Sequence, residues 1–257
     1  MKPTFLNYDR PLLTLLINEA DTPEKFIEEI ELGNRDGAEA FGLQLEVLKR
    51  EYRTEAILRE IFSHCQGKPI YITSYRGGDS KGLTDDECVE FLLLGQKAGA
   101  TIMDIMGDLY NPVRCQMTFD EQAVEKQKAL AKRIHDNGGE VLFSAHLQDF
   151  YGEEDIMRFA YAQKERGADV VKLVSMSNND QELAENIKIM ARLKLELNKD
   201  FLFLAGGSHA RFLRKAGGNL GSCMYLCLTD YEKNYGKVQP ILHRQKLLRD
   251  ELYKDSN

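Results

Sequence analysis

The chain lacks the features that mark a nucleic-acid or membrane partner. No block of lysine and arginine occurs, and acidic side chains prevail: 41 Asp and Glu against 34 Lys and Arg give a formal net charge of -7. A polyanionic surface would be repelled by such a chain, so a small-molecule ligand is expected instead. Long apolar runs are also missing. The N-terminal stretch offers only LLTLLI, residues 12–17, too short for a secretory core and far too short for a bilayer span. A cytoplasmic location is expected. Cysteine is odd in number, at 65, 88, 115, 223 and 227, with no CxxC pair, which leaves no disulfide framework. Cys223 and Cys227 fall in an apolar segment and read as packed side chains. No linker rich in proline, serine or glycine splits the chain, and neither GxGxxG nor GxxxxGK[ST] occurs, which argues against a dinucleotide-binding open sheet.

What the chain does contain is regular. With 257 residues and 43% hydrophobic content it can bury a substantial core. Apolar runs recur at 12–17, 40–48 (AFGLQLEVL), 69–76 (PIYITSYR), 101–107, 140–146 (EVLFSAH), 169–176 (DVVKLVSM), 201–208 and 222–229 (SCMYLCLT). Stretches with helical spacing separate them, several opening on Thr or Asp as a cap. Glycine stops these stretches just ahead of the next run, as in RDGAEAF, KAGATIM, NGGEVLF and ERGADVV. Eight βα repeats closing on the helix at 238–255 predict a single TIM (β/α)8 barrel domain over residues 1–257.

In that fold the reacting groups sit at the carboxyl ends of strands, and alternate residues point inward. Lys172 then shares a side with Val170 and Val174, His146 with Ser144 and Leu142, Asp104 with Ile102 and Met106, and Glu46 with Gln44 and Gly42. A desolvated lysine gives up its proton more easily and can attack a carbonyl to form a Schiff base. An imidazole beside it can move a proton at the adjacent carbon. Together they suit an eliminating or carbon–carbon-cleaving lyase. The residues leave a plainer alternative open, in which Lys172 is an ion-pair partner of Asp104 or Glu46 and His146 a satisfied polar group.

Several segments resemble the type I 3-dehydroquinate dehydratases from about residue 10 to 250. GADVVKLVSMS is similar to that family's Schiff-base strand, EVLFSAHLQDF to its strand-five S-x-H-D-F, KPIYITSYRGG to the strand ending F-T-x-R, and SHARFLRKAGGNLGS to S-R-x-x-G-x-x-x-G-S. The resemblance implies Lys172 as the Schiff-base lysine, His146 as general acid/base, and Arg214 as the guanidinium for a substrate carboxylate. Arg76 would be a second anion contact, or Tyr75 in its place if the loop is not shifted. Asp79, in the glycine-rich loop RGGDSKG, would stand where the family has a Glu beside the His, and Asp104 or Asp79 would orient His146. Lys237 would replace a substrate-binding Gln. The resemblance further implies a carboxylated ketone substrate, no cofactor, no metal, and a homodimer.

The departures are specific. The strand-two pattern E-x-R-x-D reads Gly42, Gln44, Glu46; a Glu on strand four corresponds to Met106; a Met on strand seven corresponds to Gly206; and His-Asp-Phe becomes His146-Leu147. They imply a pocket widened at Gly42 and Gly206 and differently polar at Gln44, acting on 3-dehydroquinate or on another cyclic hydroxy-ketone acid. Three alternatives remain: a class I aldolase holding a phosphorylated sugar on the glycines after strand seven; a metal site from Glu46, Asp104, His146 and Ser208 or His209; and a barrel that binds a ligand without chemistry.

Overall fold

The computed structural model describes residues 2–254. Strands and helices alternate along them: β1 Leu12–Ile17, α1 Pro23–Asp36, β2 Ala40–Gln44, α2 Glu55–Ser63, β3 Ile70–Thr73, α3 Asp85–Ala98, β4 Ile102–Met106, α4 Glu121–Asp136, β5 Glu140–His146, α5 Glu153–Glu165, β6 Val170–Met176, α6 Asp180–Glu196, β7 Asp200–Gly206, α7 Ala210–Ala216, β8 Met224–Cys227 and α8 Leu242–Leu252. The strands follow one another in the sheet in the order β7-β6-β5-β4-β3-β2-β1-β8. This is the TIM (β/α)8 fold. Position 255, the end of the expected last helix, lies outside the described residues. By its internal contacts the chain divides into two compact units, one made chiefly of Leu12–Met103 with the chain from Leu226 onward, the other of Leu6–Pro11 and Asp104–Tyr225.

In the first unit, β1, β2 and β3 pair in parallel, with Gly42 opposite both Leu16 and Tyr71. Thr22 caps α1 through the Lys25 N–H, Pro23 fits a first turn that needs no donor, and Gly37, at φ 87, closes the helix in the left-handed conformation that glycine adopts without strain. Thr84 and Glu87 form a capping box on α3. The apolar face of α1, Phe26 and Ile30, is fully buried, as is Phe41 of β2. Each such side chain contributes about 1.5–3 kcal/mol. Arg249 of α8, also buried, forks onto the Glu39 carboxylate, with Nη2 2.9 Å from Oε1.

In the second unit, β5, β6 and β7 are in continuous parallel register, Ser144 opposite Lys172 and Lys172 opposite Leu202. These strands are buried along nearly all their length, which is why they read as runs rather than alternations. Asp120 and Asn179 cap α4 and α6 with their side-chain oxygens. The buried Arg166, at the end of α5, donates to the Gly107 carbonyl at 3.0 Å, to Gln127 Oε1 at 2.9 Å and to the Thr118 carbonyl. Burial pulls its pKa down to about 10. No helix among the described residues is long and apolar enough to cross a membrane.

Candidate active site

Strand phase brings Lys172, Asp104 and Ser144 together. Lys172 is 3% exposed, and its Nζ donates to Asp104 Oδ2 at 3.2 Å. Ser144 Oγ donates to the other oxygen, Oδ1, at 2.5 Å, so the carboxylate holds the ammonium from a fixed direction. The lysine backbone is fixed too: Gln163 of α5 accepts from the Lys172 N–H at 3.1 Å and donates to the Lys172 carbonyl at 3.2 Å. A buried charge needs such company, since an unpaired one is expensive.

His146 ends β5, opposite Val174 and one inward-facing position above Ser144. Its pKa is held well below the usual imidazole value, first by burial and then by the positive charges of Lys172 and Arg214. A neutral imidazole is a proton acceptor. Arg214, on α7, donates its Nε to the Ala205 carbonyl at 2.9 Å, and burial lowers its pKa to about 10. The atom at His146 Nδ1 is Gln116 Oε1, 3.2 Å away, where the sequence pointed to Asp104 or Asp79. Gln116 and Gln163 were not legible as site residues: one sits in an irregular segment, the other on a helix face, and neither belongs to a periodic pattern.

The remaining candidates belong to the first unit. Gln44 is the last residue of β2, and Glu46 lies not in strand phase but in a 3-10 turn, Leu45–Val47. There Glu46 is buried, and its Oε2 accepts from Thr73 Oγ1 at 2.7 Å and from the Tyr75 N–H at 3.3 Å. Arg76 makes a two-pronged pair with Asp85, at 2.6 and 2.8 Å. Asp79 accepts from the Arg50 N–H at 2.8 Å and faces the Arg50 and Arg53 guanidinia. Lys237 pairs with Glu19, which Lys233 also reaches at 3.3 Å.

The space next to each of the two glycines is taken by a side chain of the adjacent strand. A Cβ on Gly42 would meet Tyr71 Cδ1 at 3.0 Å, with Leu16 and Thr14 close behind, and one on Gly206 would meet Met176 Sδ at 3.1 Å. The neighbouring strand fills each gap, with Tyr71 in register beside Gly42 and Met176 beside Gly206. Among the described residues no group of three or more His, Cys, Asp or Glu stands together as metal ligands would.

The fold is a (β/α)8 barrel, and its family match makes the chain a hydro-lyase that acts through a Schiff base. The chain belongs to the type I 3-dehydroquinase family, whose model matches residues 19–237. It is similar to the solved 3-dehydroquinate dehydratase of Geobacillus kaustophilus HTA426, with TM-score 0.81 and 14% identity over 97% of this chain and 93% of that one. The type I enzyme of Clostridium difficile, solved with covalently modified comenic acid, gives TM-score 0.80 and 15% identity over 96% and 94%. That of Aquifex aeolicus VF5 gives 0.68 and 16% over 94% and 98%. At these identities the likenesses speak for the fold, and the family match for the enzyme class. None of the curated proteins matches the chain.

Proposed function

We propose that the protein dehydrates 3-dehydroquinate to 3-dehydroshikimate, or a related cyclic hydroxy-ketone acid, through a Schiff base on Lys172. One observation carries the reading: a buried amine and an imidazole stand on the adjacent strands β6 and β5, on the same face.

Lys172 gives up a proton to solvent, from which the ketone oxygen later takes one as it leaves, and Nζ attacks the ketone carbon. The carbinolamine loses its oxygen as water, leaving an iminium at the nitrogen that Asp104 faces. The same carboxylate therefore stabilises the ammonium before attack and the iminium after it. His146 removes the proton from the carbon next to the iminium; the C–H electron pair forms a C=C bond and the C=N π pair moves onto nitrogen, giving an enamine. The enamine expels the β-hydroxyl, which leaves as water with the proton that His146 took. Water then hydrolyses the conjugated iminium to the enone and the free amine, so the net change is loss of one water. The iminium is the electron sink, so the sequence of steps calls on no cofactor.

We assign the Nη edge of Arg214 to the substrate carboxylate, a task that suits its planar fork. For Gln44, Glu46, Arg76, Asp79 and Lys237 a substrate role rests on the resemblance alone, and the ion pairs of Arg76, Asp79 and Lys237 weigh against it. A cytoplasmic homodimer is the proposed setting, again by resemblance.

The Lys172–Asp104 pair also favours one rival, a ligand-binding barrel in which the lysine is structural. Growth of enone absorbance on mixing purified protein with 3-dehydroquinate supports the lyase. Absence of turnover, with ligand binding that persists in Lys172→Met, supports the rival.

A further inference from the structure

Gln116 lies between β4 and α4 with φ 48, a left-handed conformation that a glutamine adopts only where its surroundings impose it. Those surroundings are rigid. The Gly107 N–H donates to the Ser144 carbonyl at 2.7 Å, and Thr118 returns the chain by donating to the Gly107 carbonyl at 3.1 Å. A Cβ on Gly107 would lie 2.7 Å from the Gln116 carbonyl and 3.0 Å from that of Ser144, so only glycine lets these three backbones meet. Arg166 grips the Gly107 and Thr118 carbonyls. The segment that carries Gln116 is thus fixed against β5, the strand that carries His146.

The side chain makes two contacts with one atom. Gln116 Oε1 accepts from the His146 backbone N–H at 3.1 Å and lies 3.2 Å from His146 Nδ1. A backbone N–H can only donate, so the amide atom facing it is the oxygen, which settles the orientation of the amide. An oxygen that faces Nδ1 requires the hydrogen to be on Nδ1. The lone pair then sits on Nε2.

We propose that Gln116 is a positioning residue that sets the tautomer of His146 and leaves Nε2 as its basic nitrogen. The consequence for turnover rests on the lyase reading above; the tautomer does not. An amide suits this position better than a carboxylate. Among the charged groups around the imidazole are Lys172 on β6 and Arg214 on α7, with Asp104 on β4 facing Lys172. An anion at position 116 would offset the two cations and favour the imidazolium, whereas a neutral oxygen fixes the ring and leaves it unprotonated.

Nitrogen-15 NMR of histidine-labelled protein reads the tautomer directly. His146 is expected to carry its hydrogen on Nδ1 in the native protein and to lose that preference in Gln116→Leu. A hydrogen on Nε2 in the native protein overturns the proposal, whether or not the protein turns over 3-dehydroquinate. On 3-dehydroquinate, Gln116→Leu is expected to lose roughly 10²-fold in kcat, with borohydride capture at Lys172 retained. Gln116→Glu is expected to keep turnover while its acidic limb in kcat/KM moves to higher pH by about 1 to 3 pH units. An acidic limb that stays in place in Gln116→Glu, with kcat and capture falling together in Gln116→Leu, marks Gln116 as a structural residue only and overturns the proposal.

Discussion

Lys172 Nζ lies 3.2 Å from Asp104 Oδ2, and both side chains are buried, so the amine and the carboxylate depend on each other for their charge. Removing one partner of a buried ion pair leaves the charge of the other uncompensated, at a cost of about 3–5 kcal/mol. Lys172→Met and Asp104→Asn should each destabilise the fold, and the double variant should cost clearly less than the two added together. Denaturant unfolding of the four proteins measures this, and additive losses would show that the two groups are not coupled.

The pKa of His146 is held well below the usual imidazole value, which fixes the sign of a pH effect. The unfolded chain binds the proton near the ordinary imidazole value, the folded one only well below it. This contribution to stability is therefore complete above pH about 6.5 and is lost as pH falls toward the folded-state value. In His146→Gln that part of the acid destabilisation should disappear. The same variant should retain imine formation while elimination slows by about 10²–10⁴-fold, as followed by trapping against enone release.

Gly42 marks a place where a neighbour, not a ligand, takes the space. Gly42→Ala should destabilise by about 1–3 kcal/mol, because its Cβ would press on Tyr71 Cδ1. In a Tyr71→Val background most of that penalty should vanish. Urea unfolding tests it, and an equal cost in both backgrounds would contradict the packing.

Arg166 supports the segment beside His146 through three oxygens, those of Gly107, Thr118 and Gln127. Arg166→Met should take the guanidinium from the Thr118 and Gln127 oxygens, at about 1–3 kcal/mol each, while the Gly107 carbonyl keeps the Thr118 N–H. Thermal unfolding should register the loss. Turnover should fall below that of the native protein even at temperatures where the variant is folded.

What the sequence revealed followed from burial. LLTLLI and EVLFSAH coincide with β1 and β5, since a strand covered on both sides must be a continuous apolar run. The phase of Lys172 and Asp104 was legible for the same reason. AFGLQLEVL misled because its apolar content outlasts its pairing: Gln44 pairs with Thr73, where β3 ends, and the chain curls into a 3-10 turn that takes Glu46 out of phase. The space beside Gly42 and Gly206 was misread because it depends on which side chain the next strand presents, here Tyr71 and Met176. Gln116 gave no signal, since a left-handed residue other than glycine leaves no mark in a sequence.

The most direct measurement is borohydride reduction in the presence of 3-dehydroquinate, followed by peptide mass mapping. A reduced adduct on the peptide containing Lys172, absent in Lys172→Met, is the result expected here. An adduct on another lysine, or none while turnover proceeds, would contradict the Schiff-base assignment.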